Sequence, residues 1–427
     1  MNERNKRLTE HGKSLLIVLL ACSALALAGR VFLSGETPAS FQEELLSPLT
    51  SAPTGQAAPT LPTPSRILLR NDNGAYGAQY DGTAVGTLFD QVGGILGEAL
   101  GSAGQPHPVS REDWEAALER TGVFLEFPGA LPLGQSSLWL NAEENPVFGE
   151  HFARRLLLCQ TPIDGTVGLY YLEETSEDYY ACDTASLLRG RLDGYEPNGA
   201  FFAFQQSGRY DGLDGDTLLL SSPPEPPLYQ SLPSLDLTNT AGRNTLLRAL
   251  AFSPQSNSIY PVVDGWSIRD GSDTLRLTDT GSVVFHSGGE EAPRYPLFRE
   301  GLNGAMEYTA QLVAQAVAPY CGAAQVYLSG IHSNGETYLV SYAYALSGVP
   351  VQLGQETECA RFTIHNGQIT DYTLHLRRYE ATGETAALLP EYQAMAAMDA
   401  LDVAGRELLL RYYDGGSGTV APSWIAR

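Results

Sequence analysis

The stretch QVYLSGIHSNGETYLVSYAYALSGVPVQLGQETECARFTIHNGQITDYTLHLRRY, Gln325–Tyr379, decides the fold. Four extended segments stand in it: Gln325 to Ile331, Thr337 to Leu346, Glu358 to Ile364 and Gln368 to Tyr379. Ser333-Asn334-Gly335 and His365-Asn366-Gly367 supply Asn-Gly pairs, the strongest short hairpin signal, because both residues tolerate positive φ. A helix from about Leu302 to Val317 precedes them, with Ala305, Tyr308, Leu312 and Ala316 at helical spacing. The pattern predicts a four-strand antiparallel meander behind a helix, an α+β arrangement.

Outward from this core the same alternation continues. Trp266-Ser267-Ile268, Thr274 to Leu277 and Ser282 to Phe285 read as three strands joined by Gly-containing turns, after a short helix at Thr245 to Ala251 and an extended Ser258 to Val263. Downstream, Ala386 to Ala397 reads as a helix with Pro390 in its first turns. Glu407 to Tyr413 reads as a strand, and Ala421 to Ile425 as a tail. Upstream, residues 149–238 form a strand-rich middle unit, with a hairpin from Phe152 to Cys159 and Gly165 to Leu172. Residues 66–148 form a first α+β unit. Its short strand Ile67 to Leu69 is followed by a helix over Thr87 to Leu100. A second helix starts at Ser110 with Asp113 in a capping-box pattern, and the strand Val123 to Phe127 ends at Pro128-Gly129. The expected layout is therefore 66–148, 149–238 and 239–427, an ectodomain of mainly antiparallel sheets with packed helices.

Ser14 to Leu33, SLLIVLLACSALALAGRVFL, is the one run long and apolar enough to enter a bilayer. Arg4, Lys6, Arg7 and Lys13 precede it and place residues 1–13 in the cytoplasm by the positive-inside rule. The expectation is a retained single-pass anchor with the body outside the membrane. Ala26-Leu27-Ala28 also fits a signal-peptide cleavage site, which would free the body. Ala21, Ala24 and Ala28 share one helical face, and small residues there let a second membrane helix approach closely. Residues 34–65 are rich in Pro, Ser, Thr and Ala and read as an extended linker.

The 427 residues carry a formal charge of −23; the first 30 hold five basic and two acidic groups, so the remainder stands at −26. Such a body repels nucleic acid. Lysine occurs only at Lys6 and Lys13, which excludes from the body Schiff-base chemistry, lysine-activated serine nucleophiles and the P-loop lysine. Cys159, Cys182, Cys321 and Cys359 number four in the body: local pairs Cys159–Cys182 and Cys321–Cys359, or four buried thiols, both satisfy the sequence.

Four sets of residues have the types that chemistry or binding would use. His365 and His375 lie on neighbouring predicted strands, where a zinc pair would need further ligands. Asp211, Asp214 and Asp216 in RYDGLDGDT have the composition of a calcium loop without its spacing, or of a solvated acidic turn. Glu126, Glu173, Glu174 and Asp178 lie near aromatics, as the carboxylate pair of a glycosidase would. Tyr170, Tyr171, Tyr179 and Tyr180 would line a saccharide or protein surface, or simply pack a sheet. No catalytic, cofactor-binding or metal-binding residue is assigned.

At several stretches the chain resembles the YycH/YycI family, the accessory proteins found in Gram-positive bacteria beside the essential cell-wall two-component system. They are AFSPQSNSIYPVVDGWSIRDGSDTLRLTDTGSVVFH, YLVSYAYALSGVPVQLGQETECARFTIHNGQITDYTL and LLLRYYDGGSGTVAPSWIAR, together with SREDWEAALERTGVFLEFPGALP of the first unit. Length and the first unit resemble the YycH branch; the carboxy-terminal half is equally YycI-like. The resemblance implies a membrane-anchored regulator without enzyme chemistry. Its partners would be a sensor histidine kinase and a related accessory protein, reached partly through transmembrane helices. The alternatives are a tethered or secreted envelope module that binds wall polymer or peptide and, third, an envelope hydrolase.

Overall fold

The computed structural model describes residues 61–427 except 163–164, 189, 207, 256–257, 290–292, 401–406, 417 and 427. The anchor Ser14–Leu33, its face Ala21, Ala24 and Ala28, and most of the linker lie outside the described residues. Among the described residues no helix is long and apolar enough to cross a membrane. Residues 61–250 and 254–427 fall within one compact unit.

Seven strands build the first sheet: Arg66–Asn71 (β1), Gly74–Gln79 (β2), His107–Val109 (β3), Gly122–Pro132 (β4), Phe152–Gln160 (β5), Thr166–Glu173 (β6) and Tyr179–Leu187 (β7). Their order is β2-β1-β4-β5-β6-β7-β3, all antiparallel. Strands on both sides of residue 148 thus share one sheet. Successive side chains of a strand point to opposite faces, and here both faces are covered. Ile67, Leu69, Val123 and Leu125 pack with Val85, Leu88, Val92, Ile95 and Leu96 of the helix Gly82–Ser102 (α1). Leu68, Phe124 and Leu157 pack on the other side with Trp114, Ala117 and Leu118 of Arg111–Leu118 (α2).

Local chemistry sets the helix ends. The α1 helix starts five residues before the predicted Thr87, because the Asp81 side chain accepts hydrogen bonds from the Thr83 and Ala84 amides and carries the helix through Gly82 and Gly86. The predicted capping box of α2 is present, with Ser110 and Asp113 each serving the other's backbone. A short helix, Leu133–Trp139 (α3), follows β4. The two-stranded ribbon Phe201–Phe202 (β8) and Leu218–Leu219 (β9) covers the α2 face.

Thirteen strands form the second sheet. They are Pro227–Leu232 (β10), Ile259–Val262 (β11), Gly265–Asp270 (β12), Asp273–Thr278 (β13), Ser282–His286 (β14), Gln325–Asn334 (β15), Thr337–Leu346 (β16), Val349–Leu353 (β17), Ala360–His365 (β18), Gln368–His375 (β19), Arg378–Thr385 (β20), Leu408–Asp414 (β21) and Gly418–Ala426 (β22). The order is β11-β12-β13-β14-β19-β18-β16-β17-β21-β22-β10-β20, with β15 on the other side of β16. The predicted meander β15-β16-β18-β19 is present in it, with β16, β18 and β19 in the interior and β15 at an edge. Between them Thr240–Ala249 (α4) and Gly301–Ala316 (α5) cover one face: Thr309 and the Met306 carbonyl of α5 meet the Tyr342 hydroxyl, and Arg243 of α4 lies 3.9 Å from the Trp266 ring centroid.

Three elements differ from the sequence reading. The segment after Gly348 is a strand, β17, joined to β16 through Ser347 and Gly348, both at positive φ, and paired in parallel with β21. The tail Ala421 to Ile425 is part of β22, antiparallel to β21. The last helix, Glu391–Ala400 (α6), starts after Pro390, since the residue before a proline is pushed out of helical geometry. All four described cysteines are buried free thiols. Cys159 packs on the α2 face of its sheet and Cys182 on the α1 face, so the sheet itself separates that predicted pair.

Candidate functional site

The two sheets meet across a cleft of about 1170 Å³. Its first wall is made by Pro128–Ala130, Glu150–Phe152, Arg154, Glu173–Ser176 and Tyr180; its second by Tyr327–Ser333 of β15 and Leu409–Arg411 of β21. The first wall exists because the β4–β5 register shifts between Glu126 and Leu131 and throws Phe127–Ala130 out as a bulge. Gly129 lets that bulge lie on β15: a Cβ there would stand 2.7 Å from the Tyr327 ring and 2.8 Å from the Leu328 carbonyl oxygen. At the far side Gly348, with φ of +74°, backs onto Pro64, and the Ser65 hydroxyl donates to its carbonyl.

Below the cleft lies a cluster of buried charges. Arg66 of β1 and Arg154 and Arg155 of β5 face Glu126 of β4, Asp216 and Glu407, all six buried. Arg66 Nη1 is 3.3 Å from Glu126 Oε2, its Nε donates to Tyr80 Oη at 2.8 Å, and its Nη2 donates to the Leu408 carbonyl at 2.7 Å. Arg154 donates to Glu126 and Glu174, each at 3.1 Å, and to Glu407. Arg155 donates to Asp216 at 2.7 Å and to Glu407, with Glu126 at 3.7 Å. Both neighbouring arginines reach the cluster because the β5–β6 register slips between Ala153 and Leu156.

Three guanidiniums balance three carboxylates, and balance is what makes such burial tolerable. Burial pushes the Glu407 carboxyl up, but Arg155 and Arg154 outweigh it and hold it at about 2. Burial lowers the Arg155 guanidinium, and Asp216, Glu126 and Glu407 more than reverse that. Burial raises the Tyr80 hydroxyl to about 12, so it accepts from Arg66 as a neutral phenol. The Glu407 carboxylate and the Arg155 guanidinium are thus held charged through the neutral range. The cluster fastens the two sheets together, since Arg66, Arg154 and Arg155 of the first reach Glu407 and Leu408 of the second.

An aromatic ledge occupies one end of the first wall. His151 Nδ1 lies 2.6 Å from Tyr171 Oη, the Tyr171 and Tyr180 rings stack at 5.6 Å and 16°, and His151 sits 5.0 Å from Tyr180. Beside it Glu173 is committed to its own turn, accepting from the Thr175 and Ser176 amides, whose bonds bring its carboxyl below the usual range against the pull of burial.

The sequence candidates fall into place around this site. Glu126 and Glu174 are held by arginines and Glu173 by backbone amides, so the carboxylates proposed for a hydrolase are structural. Asp178 is exposed beyond them. Tyr171 and Tyr180 form the ledge, whereas Tyr179 stacks on Trp114 on the opposite face and Tyr170 meets Arg120. The Asp211–Asp214–Asp216 loop is not a calcium cradle: Asp216 turns inward to Arg155, while Asp211 accepts from the Gly208 amide. His365 and His375 sit at opposite ends of the β18–β19 hairpin, bound to Thr337 and Glu356. Among the described residues no three His, Cys, Asp or Glu side chains gather as metal ligands. Sequence reading missed Arg66, Arg154, Arg155 and Glu407. The available signal was Arg154-Arg155 inside the apolar run FARRLLLC, since adjacent arginines in a strand covered on both faces must find buried partners.

No protein-family model matches the chain, and no curated protein matches it. Among solved structures, the crystal structure of YycH from Bacillus subtilis aligns with 88% of this chain and 95% of that chain, at a TM-score of 0.54 and 12% sequence identity. The two share a fold over nearly their whole lengths. The crystal structure of an inactive CurK dehydratase mutant aligns with 56% of this chain at a TM-score of 0.11, too low to carry an argument.

Proposed function

We propose that this protein is a membrane-anchored, extracytoplasmic accessory subunit that regulates a sensor histidine kinase of a two-component system. The observation that carries the reading is the YycH fold, shared over 88% of this chain and 95% of the solved one. The cleft agrees with it, because every carboxylate in its walls except Glu150 is already occupied by an arginine or backbone amides among the described residues. The proposed partners are the kinase and a second accessory protein of YycI or YycH type in a Gram-positive envelope. The proposed contacts run through both the ectodomain and Ser14–Leu33, with Ala21, Ala24 and Ala28 as the packing face. Regulation then means packing that differs between two states of the kinase.

Co-purification of the full chain from detergent-solubilised membranes tests this. A sensor kinase co-elutes, and the association weakens when Ser14–Leu33 is exchanged for an unrelated membrane helix. Unchanged kinase output after deletion of the gene would end the regulatory reading. A mature protein beginning after Ala28 would remove its membrane part.

A further inference from the structure

The β15 strand is an edge. Among the described residues it pairs with β16 and with no other strand. Its first half is covered, since Gln325 exchanges hydrogen bonds of 3.0 and 3.2 Å with Thr63, and Tyr327 and Leu328 lie under Gly129. Ser329–Ser333 line the cleft, half-buried as far as Ile331 and exposed from His332. The register slips between Leu328 and Gly330, leaving Ser329 opposite no residue, and its buried hydroxyl has no hydrogen-bond partner among the described residues. Beyond the bulge, Gly330–Asn334 return to regular pairing with Thr337–Ser341. In an antiparallel ladder every second residue turns both its N–H and its C=O away from the paired neighbour.

Bare edges recruit other strands, and proteins blunt them with lysine, proline, a bulge that turns the edge away, or a cover. Ser329 to Asn334 reads SGIHSN, with no lysine, proline or carboxylate. The edge is instead placed inside a cleft. Facing it are the Tyr180 ring and Glu150, which is exposed and unpaired among the described residues. The other three carboxylates of the walls are already held by arginines or backbone amides, so Glu150 is the one left, among the described residues, to meet a cation.

We propose that the cleft binds an extended peptide carrying a lysine or arginine. The peptide adds a strand to Ser329–Asn334 and sets its cation against Glu150 and the Tyr180 face. Backbone pairing supplies affinity, and the cation fixes register. This site goes beyond kinase regulation and stands whether or not a kinase is the protein's partner.

The test uses the full chain and an array of fluorescein-labelled octapeptides of alternating valine and threonine, with one lysine walked through every position. Fluorescence anisotropy reads binding. The best binder loses about tenfold or more in affinity when its lysine is replaced by glutamate, and again when alternate amides are N-methylated, the expected result of removing two or three hydrogen bonds. Amide exchange within Gly330–Asn334 slows in the complex. Gly330→Trp abolishes binding: a Cβ at Gly330 meets nothing within 4 Å, so the indole has room to enter the cleft. Should that variant lose its native near-UV spectrum, Glu150→Lys takes its place, weakening the lysine peptide and strengthening the glutamate one. No binding across the array, or binding indifferent to N-methylation or to both variants, overturns the proposal.

Discussion

Glu407→Gln removes one charge from the ion cluster and leaves its volume unchanged. Arg154 Nη2 and Arg155 Nη2 both donate to this carboxylate, so the amide leaves three buried guanidiniums facing two carboxylates. Two routes give the cost. The carboxyl held at about 2, against 4.5 for an ordinary glutamate, corresponds to about 3 kcal/mol of stability at neutral pH. Removing one partner of a buried pair costs about 3–5 kcal/mol. The sign is that of a depressed pKa. The contribution is complete above about 4.5 and fades as pH falls toward 2, reaching about 1 kcal/mol at pH 3. Urea unfolding followed by near-UV circular dichroism, on wild type and variant at pH 7 and pH 3, measures it. A loss under about 1 kcal/mol at pH 7 would refute the cluster as a fastening, as would a loss undiminished at pH 3.

Three further outcomes follow from packing. Gly348→Ala combines a left-handed φ with a Cβ 2.6 Å from the Pro64 carbonyl oxygen, and costs at least about 2 kcal/mol; Gly335→Ala, at a similar φ in open space, costs about 1, so equal losses in thermal unfolding would contradict the close approach. Peptide mapping of the purified chain finds Cys159, Cys182, Cys321 and Cys359 as thiols that react with maleimide only on unfolding, since burial raises the Cys159 and Cys182 thiols to about 12; rapid labelling of any of these four in the native protein at pH 8 would contradict this. Ser110→Ala removes half of the capping box and lowers stability by about 1 kcal/mol, while Ser110→Asp restores it, read by the same urea curves.

Much of the fold is written locally. Asn366-Gly367 and the alternation around it carry the meander, and Ser110 with Asp113 carries the start of α2. What the sequence conceals is longer in range. Asp216 sits in a glycine-rich acidic loop and reads as solvated, yet it is buried because Arg155, 61 residues earlier, needs a counter-charge. Glu407 meets Arg155 across 252 residues, and Arg66 meets the Leu408 carbonyl across 342. Local composition carries no trace of such pairings. The break at Pro128-Gly129 reads as a strand end, where the strand bulges and resumes; that bulge makes a wall of the cleft, so the cleft too was hidden.

The reach from Arg155 to Glu407 also bears on how the protein is made. Synthesis is vectorial, at about 5–20 residues per second, so β5 leaves the ribosome some tens of seconds at most before its last partner does. Until then Arg154 and Arg155 face a sheet short of one negative charge, and the Leu408 carbonyl that Arg66 requires has not been made. The first sheet is therefore completed only after Glu407 and Leu408 have emerged. Until Glu407 arrives the first sheet stays unlocked, and a chain truncated before it presents quality control with an unfinished sheet rather than a shorter protein.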